Sequence, residues 1–418
     1  MTTTSRTIKA LLATALLSAT AGAAGASAAV TPVTACGSDA RNGSWERSGS
    51  TPSLIATTPS CAPSLWVRNV VSSRKKARVK RGTHGGLRFV APNGTRITAL
   101  HANWNGSQQY WRSERASHWK LGIWDGEQWV FGGERHLSHF AGPGYQHIDV
   151  TGLSTSVLAV RLLCSTKSRG CPRNKVYARF DMRDITVDLD DFLAPDFVAP
   201  HGSMWNMSNG DIASSTGWLS GETSVAFTAR DNMGVQRTAI LVDGEQVTDP
   251  AYACDHNLRL PCPASVDDAF AAPAGRLADG VHTITIRAQD AAGNVTAASR
   301  QFKIDSADPQ QPTGLELEGL DPSVVRNVNS FTVDWVDPQQ DAGSALLPGQ
   351  MQICQAPGGA VDPSFCVTRS LAAMDPTVSL RVPGTGDWRM RVRRDDAAGH
   401  QGDWSSYSPL LRYDPSAP

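Results

Sequence analysis

The feature that most constrains this chain is a strand-and-turn unit that occurs twice in its C-terminal half. Residues 282–294 read His-Thr-Ile-Thr-Ile-Arg-Ala-Gln-Asp-Ala-Ala-Gly-Asn, and residues 388–400 read Trp-Arg-Met-Arg-Val-Arg-Arg-Asp-Asp-Ala-Ala-Gly-His. In the first, Ile284, Ile286 and Ala288 alternate with Thr283, Thr285 and Arg287. In the second, Trp388, Met390 and Val392 alternate with Arg389, Arg391 and Arg393. A period of two sends successive side chains to opposite faces of a sheet, so each run is a half-buried strand. Asp-Ala-Ala-Gly then turns the chain, the Asp accepting from nearby backbone amides and the Gly taking a positive φ. A shorter echo, Ala229-Arg-Asp-Asn-Met-Gly234, follows an apolar run at Val225–Thr228.

Similar short runs, bounded by Gly, Pro, Asn and Asp, fill the rest of the chain, and sustained helical periodicity is almost absent. The fold class expected is therefore all-β, as three tandem β-sandwiches. A formal charge of zero and a pI near 7.1 argue against nucleic acid or a membrane surface as a general partner. No run past the N-terminus approaches the length of a membrane span.

Export is written at the N-terminus. Arg6 and Lys9 precede the apolar run Ala10–Leu17, and small residues around Ala26–Ala29 offer a peptidase site. That is the order of a secretory signal, which assigns residues 1–29 to a cleaved leader. The eight cysteines fall into neighbouring pairs, Cys36/Cys61, Cys164/Cys171, Cys254/Cys262 and Cys354/Cys366. Counting alone fixes no connectivity. None of the pairs has C-x2-C spacing and no histidine stands at ligand spacing beside one, so local disulfides are favoured over metal binding. Such bridges suit an oxidising compartment. The expectation is a secreted, extracellular or envelope-associated monomer.

The motifs carry resemblances. Ala229–Val235, Leu241-Val-Asp-Gly244, Leu277–Ile284 and Ala288–Asn294 make residues 197–304 similar to a bacterial immunoglobulin-like domain of the cadherin-like kind. Asp243-Gly244 is also a strong hairpin turn on physical grounds. Ser330-Phe-Thr-Val-Asp-Trp335, Trp388–Val392 and Trp404-Ser-Ser-Tyr-Ser408 make residues 305–418 resemble a fibronectin type III domain, with an insertion-like stretch from Cys354 to Cys366. Both resemblances imply a Greek-key β-sandwich. Residues 30–196 form the remaining module. Their alternating runs at Leu87–Ala91, Ser156–Cys164, Val176–Asp181 and Ile185–Leu189, with a hairpin at Trp119–Val130 turning on Asp125-Gly126, suggest a jelly-roll or concanavalin-like sandwich. The whole is similar to multidomain exported proteins of soil actinobacteria, in which a lectin-like sandwich precedes such repeats.

Seven of the twelve tryptophans lie in this first module. Sugar-binding sites use aromatic faces against the C–H groups of a pyranose, with polar neighbours for its hydroxyls. The candidate ligand residues are Trp104, Asn105, Gln109, Tyr110, Trp111, Trp119, Trp124 and Trp129. A two-residue turn would pair Trp124 with Glu127, placing Trp124 and Trp129 on one face and Trp119 on the other. The bland alternative is that most of these rings fill the core. The basic run Arg74–Arg81 reads as a solvated loop or edge strand before an anionic-polymer site. Asp184, Asp188, Asp190, Asp191 and Asp196 read as an acidic strand end; the cadherin-like resemblance implies the alternative of calcium between modules, but no D-x-D-x-D-G loop is present.

No H-E-x-x-H, G-x-S-x-G or P-loop occurs. Glu134, His136 and His139 form the compact His/carboxylate group of the sequence, in a Gly-bounded segment. The sequence calls for no cofactor, no metal and no catalytic residue. The function expected is binding or adhesion, with glycan or a cell-envelope polymer met by the first module. The alternative is a polysaccharide-active enzyme with accessory sandwiches behind it.

Overall fold

Strands run from Val30 to Tyr413 and pair into facing sheets, so the period-2 reading of the chain is what forms. The computed structural model describes residues 30–36, 44–49, 55–58, 64–74, 77–109, 119–133, 144–165, 170–172, 177–201, 217–220, 222–273, 275–339 and 343–418. The leader at 1–29, Cys61, Tyr110, Trp111 and the Glu134/His136/His139 group lie outside them. No helix among the described residues is long and apolar enough to cross a membrane.

In the first sandwich, one sheet runs in the order Gln146–Val150, Thr95–Gln109, Tyr177–Asp191, Leu65–Asn69, Ile55–Thr58, and Val30–Cys36 also pairs with Tyr177–Asp191. The facing sheet runs Trp45–Gly49, His84–Val90, Val157–Cys164, Trp119–Trp124, Trp129–Gly132. Alternate residues of both sheets meet in one core that includes Leu87, Phe89, Leu121, Ile123, Val160 and Phe180. Burying such side chains stabilises by about 1.5–3 kcal/mol each. The two strands expected at Val176–Asp181 and Ile185–Leu189 are one strand, Tyr177–Asp191, interrupted by a bulge where Asp184 takes φ 52°. A non-glycine residue with positive φ reads as a break in the sequence pattern, whereas here the Asn103 amide donates to the Asp184 carboxylate at 2.9 Å and holds the bulge.

The second sandwich pairs a sheet of Asp196–His201, Thr223–Arg230 and Ser265–Ala272 with one ordered Trp218–Leu219, Val295–Ile304, Gly280–Asp290, Val235–Val242, Glu245–Thr248. Val242 lies opposite Glu245, so Asp243-Gly244 is a two-residue turn with φ 52° and 84°. Both positive angles are what a type I′ hairpin needs.

The third is a sandwich of three strands on four. Thr313–Leu317, Phe331–Val336 and Thr377–Leu380 face Cys366–Ser370, Leu346–Gln355, Gly386–Asp396 and Leu411–Tyr413. Cys354 pairs directly with Cys366 in the ladder, so the insertion-like stretch is a bridged hairpin. Before the last strand, Trp404–Ser408 lies alongside Gly386–Asp396 and uses hydroxyls where a strand would use carbonyls. The Val392 amide donates to Ser405 Oγ and the Met390 amide to Ser408 Oγ, each at 3.0 Å. Arg391 stacks 4.8 Å from the Trp404 ring and 5.1 Å from Tyr407, and Arg393 lies 4.8 Å from Trp404. The solvent-side arginines of the repeat thus cover the aromatics of the segment that follows them.

Disulfides join Cys164–Cys171, Cys254–Cys262 and Cys354–Cys366. Cys36 is also disulfide-bonded.

Candidate ligand-binding face

Period-2 geometry sorts the tryptophans of the first sandwich. In Thr95–Gln109, Leu100, Ala102 and Trp104 point inward, and Trp104 is buried against Phe180, 5.5 Å away and nearly parallel, and Phe131 at 5.0 Å. In Trp119–Trp124, the inward set is Trp119, Leu121 and Ile123; Trp119 is fully buried and its indole N–H donates to the Pro172 carbonyl at 3.2 Å. Trp104 and Trp119 are therefore core side chains and leave the candidate ligand set. Asn105 is half-buried on the outward face of its own sheet, the opposite side of the sandwich from Trp124. Gln109 ends that strand opposite Tyr177. Residues adjacent in sequence are thus divided between two sheets, and the expected cluster is not one surface.

Trp124 and Trp129 do share a face. They lie directly opposite each other, so the expected Asp125-Gly126 two-residue turn is a four-residue loop instead. The Asp125 carboxylate accepts from the amides of Glu127 and Gln128 at 2.8 and 2.7 Å, which closes the longer loop. The two rings meet edge to face at 5.5 Å, both half-buried. Trp129 folds over Gly133: a Cβ there would come within 2.2 Å of the ring.

Arg161 completes the face. It projects from the central strand Val157–Cys164, with Gly86 opposite it on one neighbouring strand and Gly122 on the other. A Cβ at Gly122 would lie 2.1 Å from the Phe131 carbonyl oxygen, so close strand approach keeps that position bare. The Arg161 guanidinium stacks on Trp124 at 4.8 Å. Its Nε is buried and hydrogen-bonded to nothing, and burial pushes the guanidinium below its ordinary value. One row along, Glu46 and Arg88 satisfy each other at 3.0 Å. The face therefore offers two indole rings and one cation with an unused donor. Such a set stacks on a ring and binds an oxyanion. Sequence reading missed Arg161, whose signal was an arginine in an otherwise apolar strand.

The other outer face carries the nearest arrangement to acid–base machinery among the described residues. His101 Nδ1 lies 2.5 Å from Asp149 and Nε2 lies 3.3 Å from Asp188, so both ring nitrogens are engaged. The bond to Asp149 raises the imidazole above its ordinary value, against a smaller opposing effect of burial. A raised histidine contributes stability below its unfolded pKa of about 6.5 and loses it as pH rises through the higher folded value. In an NMR titration, His101 should therefore titrate above that value, and Asp149→Asn should bring it down. A midpoint unmoved by Asp149→Asn would contradict the pairing.

Two groups with metal-ligating side chains stand at the module junctions: Asp191, Asp231 and Asp290 at the first, and Asp305, Asp396 and His400 at the second. In each group the three ligand atoms lie within 4.8 Å of one another. Asp191 follows Val187 and Leu189 at the same period, which turns it inward, while Asp188 and Asp190 face outward. The acidic strand end expected from the sequence thus has one member buried.

No protein-family model and no curated protein sequence matches the chain. Among solved structures the chain is similar to a three-domain segment of titin, at 9% identity, 83% of this chain, 99% of that one and a TM-score of 0.36. It is also similar to the fibronectin(III)-like modules of CbhA from Clostridium thermocellum, at 12% identity, covering 51% and 94%, with a TM-score of 0.25. A third is the FN1–FN3 segment of chicken CNTN1, at 11% identity, covering 77% and 99%, with a TM-score of 0.28.

Proposed function

We propose that this chain is an extracellular binding protein whose first sandwich takes an acidic glycan or cell-envelope polymer on the face formed by Trp124, Trp129 and Arg161. The observation that carries this reading is Arg161, whose buried Nε lacks a partner beside two indole rings. A buried donor left unsatisfied costs about 1–3 kcal/mol, which a carboxylate or phosphate on a polymer would recover. The leader-like order of residues 1–29 and the disulfides support an address outside the cell. The second and third sandwiches would then act as spacers that present the first.

The test is affinity electrophoresis against uronic-acid-rich, phosphate-rich and neutral polysaccharides. The acidic polymers should retard the protein, with Trp124→Ala and Arg161→Gln each weakening retention about tenfold, roughly 1.4 kcal/mol. Release of reducing ends from the same polymers would favour a polysaccharide-active enzyme. Equal retardation of the parent and both variants would remove the face from consideration.

A further inference from the structure

The basic run at residues 74–81 has a defined place in the fold. Val79 is buried in the core of the first sandwich, so its neighbours Arg78 and Lys80 point outward and are exposed. Arg78–Val79 pairs with Cys171–Pro172 as a two-stranded ribbon, and the Arg78 guanidinium donates to the Gly170 carbonyl at 2.9 Å. This ribbon is stapled to the end of the strand that carries Arg161, because Cys171 is bridged to Cys164. Residues 80–83 then turn, with the Thr83 amide donating to the Lys80 carbonyl at 3.1 Å. The Gly82 amide donates to the Cys164 carbonyl at 2.9 Å, and the Cys164 amide to the Thr83 carbonyl at 2.8 Å. Lys80 and Arg81 are therefore exposed on a turn tied down by backbone bonds and a disulfide.

That turn lies in line with the Trp124/Trp129/Arg161 face. In Trp119–Trp124, Lys120, Gly122 and Trp124 share the outward side. Ladder register sets Trp124 against Ala159, Gly122 against Arg161 and Lys120 against Leu163, and Cys164 follows at the strand's end. Passing down the sheet, the outward groups are thus the two indoles, Arg161, Lys120 and then the Lys80/Arg81 turn. At the ordinary rise of a strand, Trp124 and Lys120 stand about 13 Å apart.

The charges along this line are not balanced. Among the described residues, no carboxylate pairs with Arg78, Lys80, Arg81, Lys120 or Arg161. Glu46 is neutralised by Arg88 at 3.0 Å, with Arg259 at 4.0 Å. Asp125 and Glu127 stand past Trp124, at the opposite end from the ribbon, and the Asp125 carboxylate is spent on loop amides. The face is thus acidic at its loop end and cationic toward the ribbon. Such a gradient orients an anionic chain, each exposed cation adding modest attraction that salt screens.

We propose that the Trp124/Trp129/Arg161 face continues through Lys120 to Lys80 and Arg81 as one cationic track, whose occupant is an internal stretch of a linear polyuronate. The track rests on the reading of that face as an acid-binding site, and gives the ligand a length and a direction. A uronic acid carries its carboxylate on the same pyranose ring that stacks, which matches a guanidinium 4.8 Å from an indole. A glycerol-phosphate chain has the charge but no ring for Trp124 and Trp129. Further carboxylates of the chain meet Lys120 and the Lys80/Arg81 turn, where an ammonium acts as a point charge on a flexible stem. Arg161, with its enclosed donor, selects the sugar; the exposed cations add an attraction that grows with chain length.

The test measures binding of the full chain to trigalacturonate and to polygalacturonate, at low and high sodium chloride. Lys80→Gln/Arg81→Gln alters exposed side chains alone and should leave the melting temperature unchanged. It should weaken polygalacturonate binding about tenfold and flatten its salt dependence, with trigalacturonate binding unchanged. Arg161→Gln should weaken both ligands. If the double variant binds the polymer as the parent does while Arg161→Gln does not, the track is overturned and the face reading stands. If the parent binds neither ligand, both fall. Equal loss on trimer and polymer would overturn the track, as would parental affinity for a glycerol-phosphate polymer or double-stranded DNA equal to that for polygalacturonate.

Discussion

Replacing Arg394 with methionine should destabilise the third sandwich by about 3–5 kcal/mol, the cost of breaking a buried ion pair from one side. Arg394 is fully buried. Its guanidinium donates to both oxygens of the Asp337 carboxylate at 2.7 Å each, and to the carbonyl oxygens of Met374 and Ala373 at 2.9 and 3.4 Å, and lies 5.3 Å from the Trp335 ring. Methionine fills much of the volume but, among the described side chains, leaves the Asp337 carboxylate with the Trp335 indole N–H at 2.7 Å. The measurement is hydrogen exchange of strand amides in the intact chain, where the third sandwich can be followed separately from the others. Adding Asp337→Asn to Arg394→Met should recover most of the loss, since the penalty is chiefly an uncompensated carboxylate. A double variant whose cost equals the sum of the two single costs would show that the pair is not coupled.

That pair also marks how far the sequence could be read. The strand preceding Asp-Ala-Ala-Gly was legible because Trp388, Met390 and Val392 alternate cleanly with arginines. Arg394 was not legible, because it occupies the inward phase of that alternation and polarity alone would have ended the apolar set before it. Asp191 escaped for the same reason: its phase matches Val187 and Leu189, but its charge grouped it with the outward aspartates. Charged residues in an inward phase were the signal in both cases. Each needs a partner brought from another strand, so the sequence shows the demand without showing what meets it. The turn at Asp125 was misread differently. Asp-Gly favours a two-residue hairpin, but at Asp125 the carboxylate captures two amides and lengthens the loop, while at Asp243 the short turn forms.

Trp119→Ala should cost about 3–5 kcal/mol of stability in the first sandwich, whereas Trp124→Ala should leave it within about 1 kcal/mol. The two residues stand five apart on one strand, and both were read as ligand contacts. Trp119 is fully enclosed, spends its N–H on Pro172, and lies in register with Cys164, which is bridged to Cys171. Alanine there opens a cavity beside a rigid bridge and orphans the Pro172 carbonyl, so little collapse can relieve it. Trp124 instead faces outward, with one flank on Arg161 and an edge on Trp129, and its removal exposes atoms that solvent can reach. Chemical denaturation followed by near-UV circular dichroism of the full chain separates the two outcomes. If the function proposed for the outward face holds, Trp124→Ala loses polymer retention at unchanged stability. Trp119→Ala, measured under conditions where it remains folded, keeps that retention. The reverse pattern would overturn the assignment of the ligand site to the outward face.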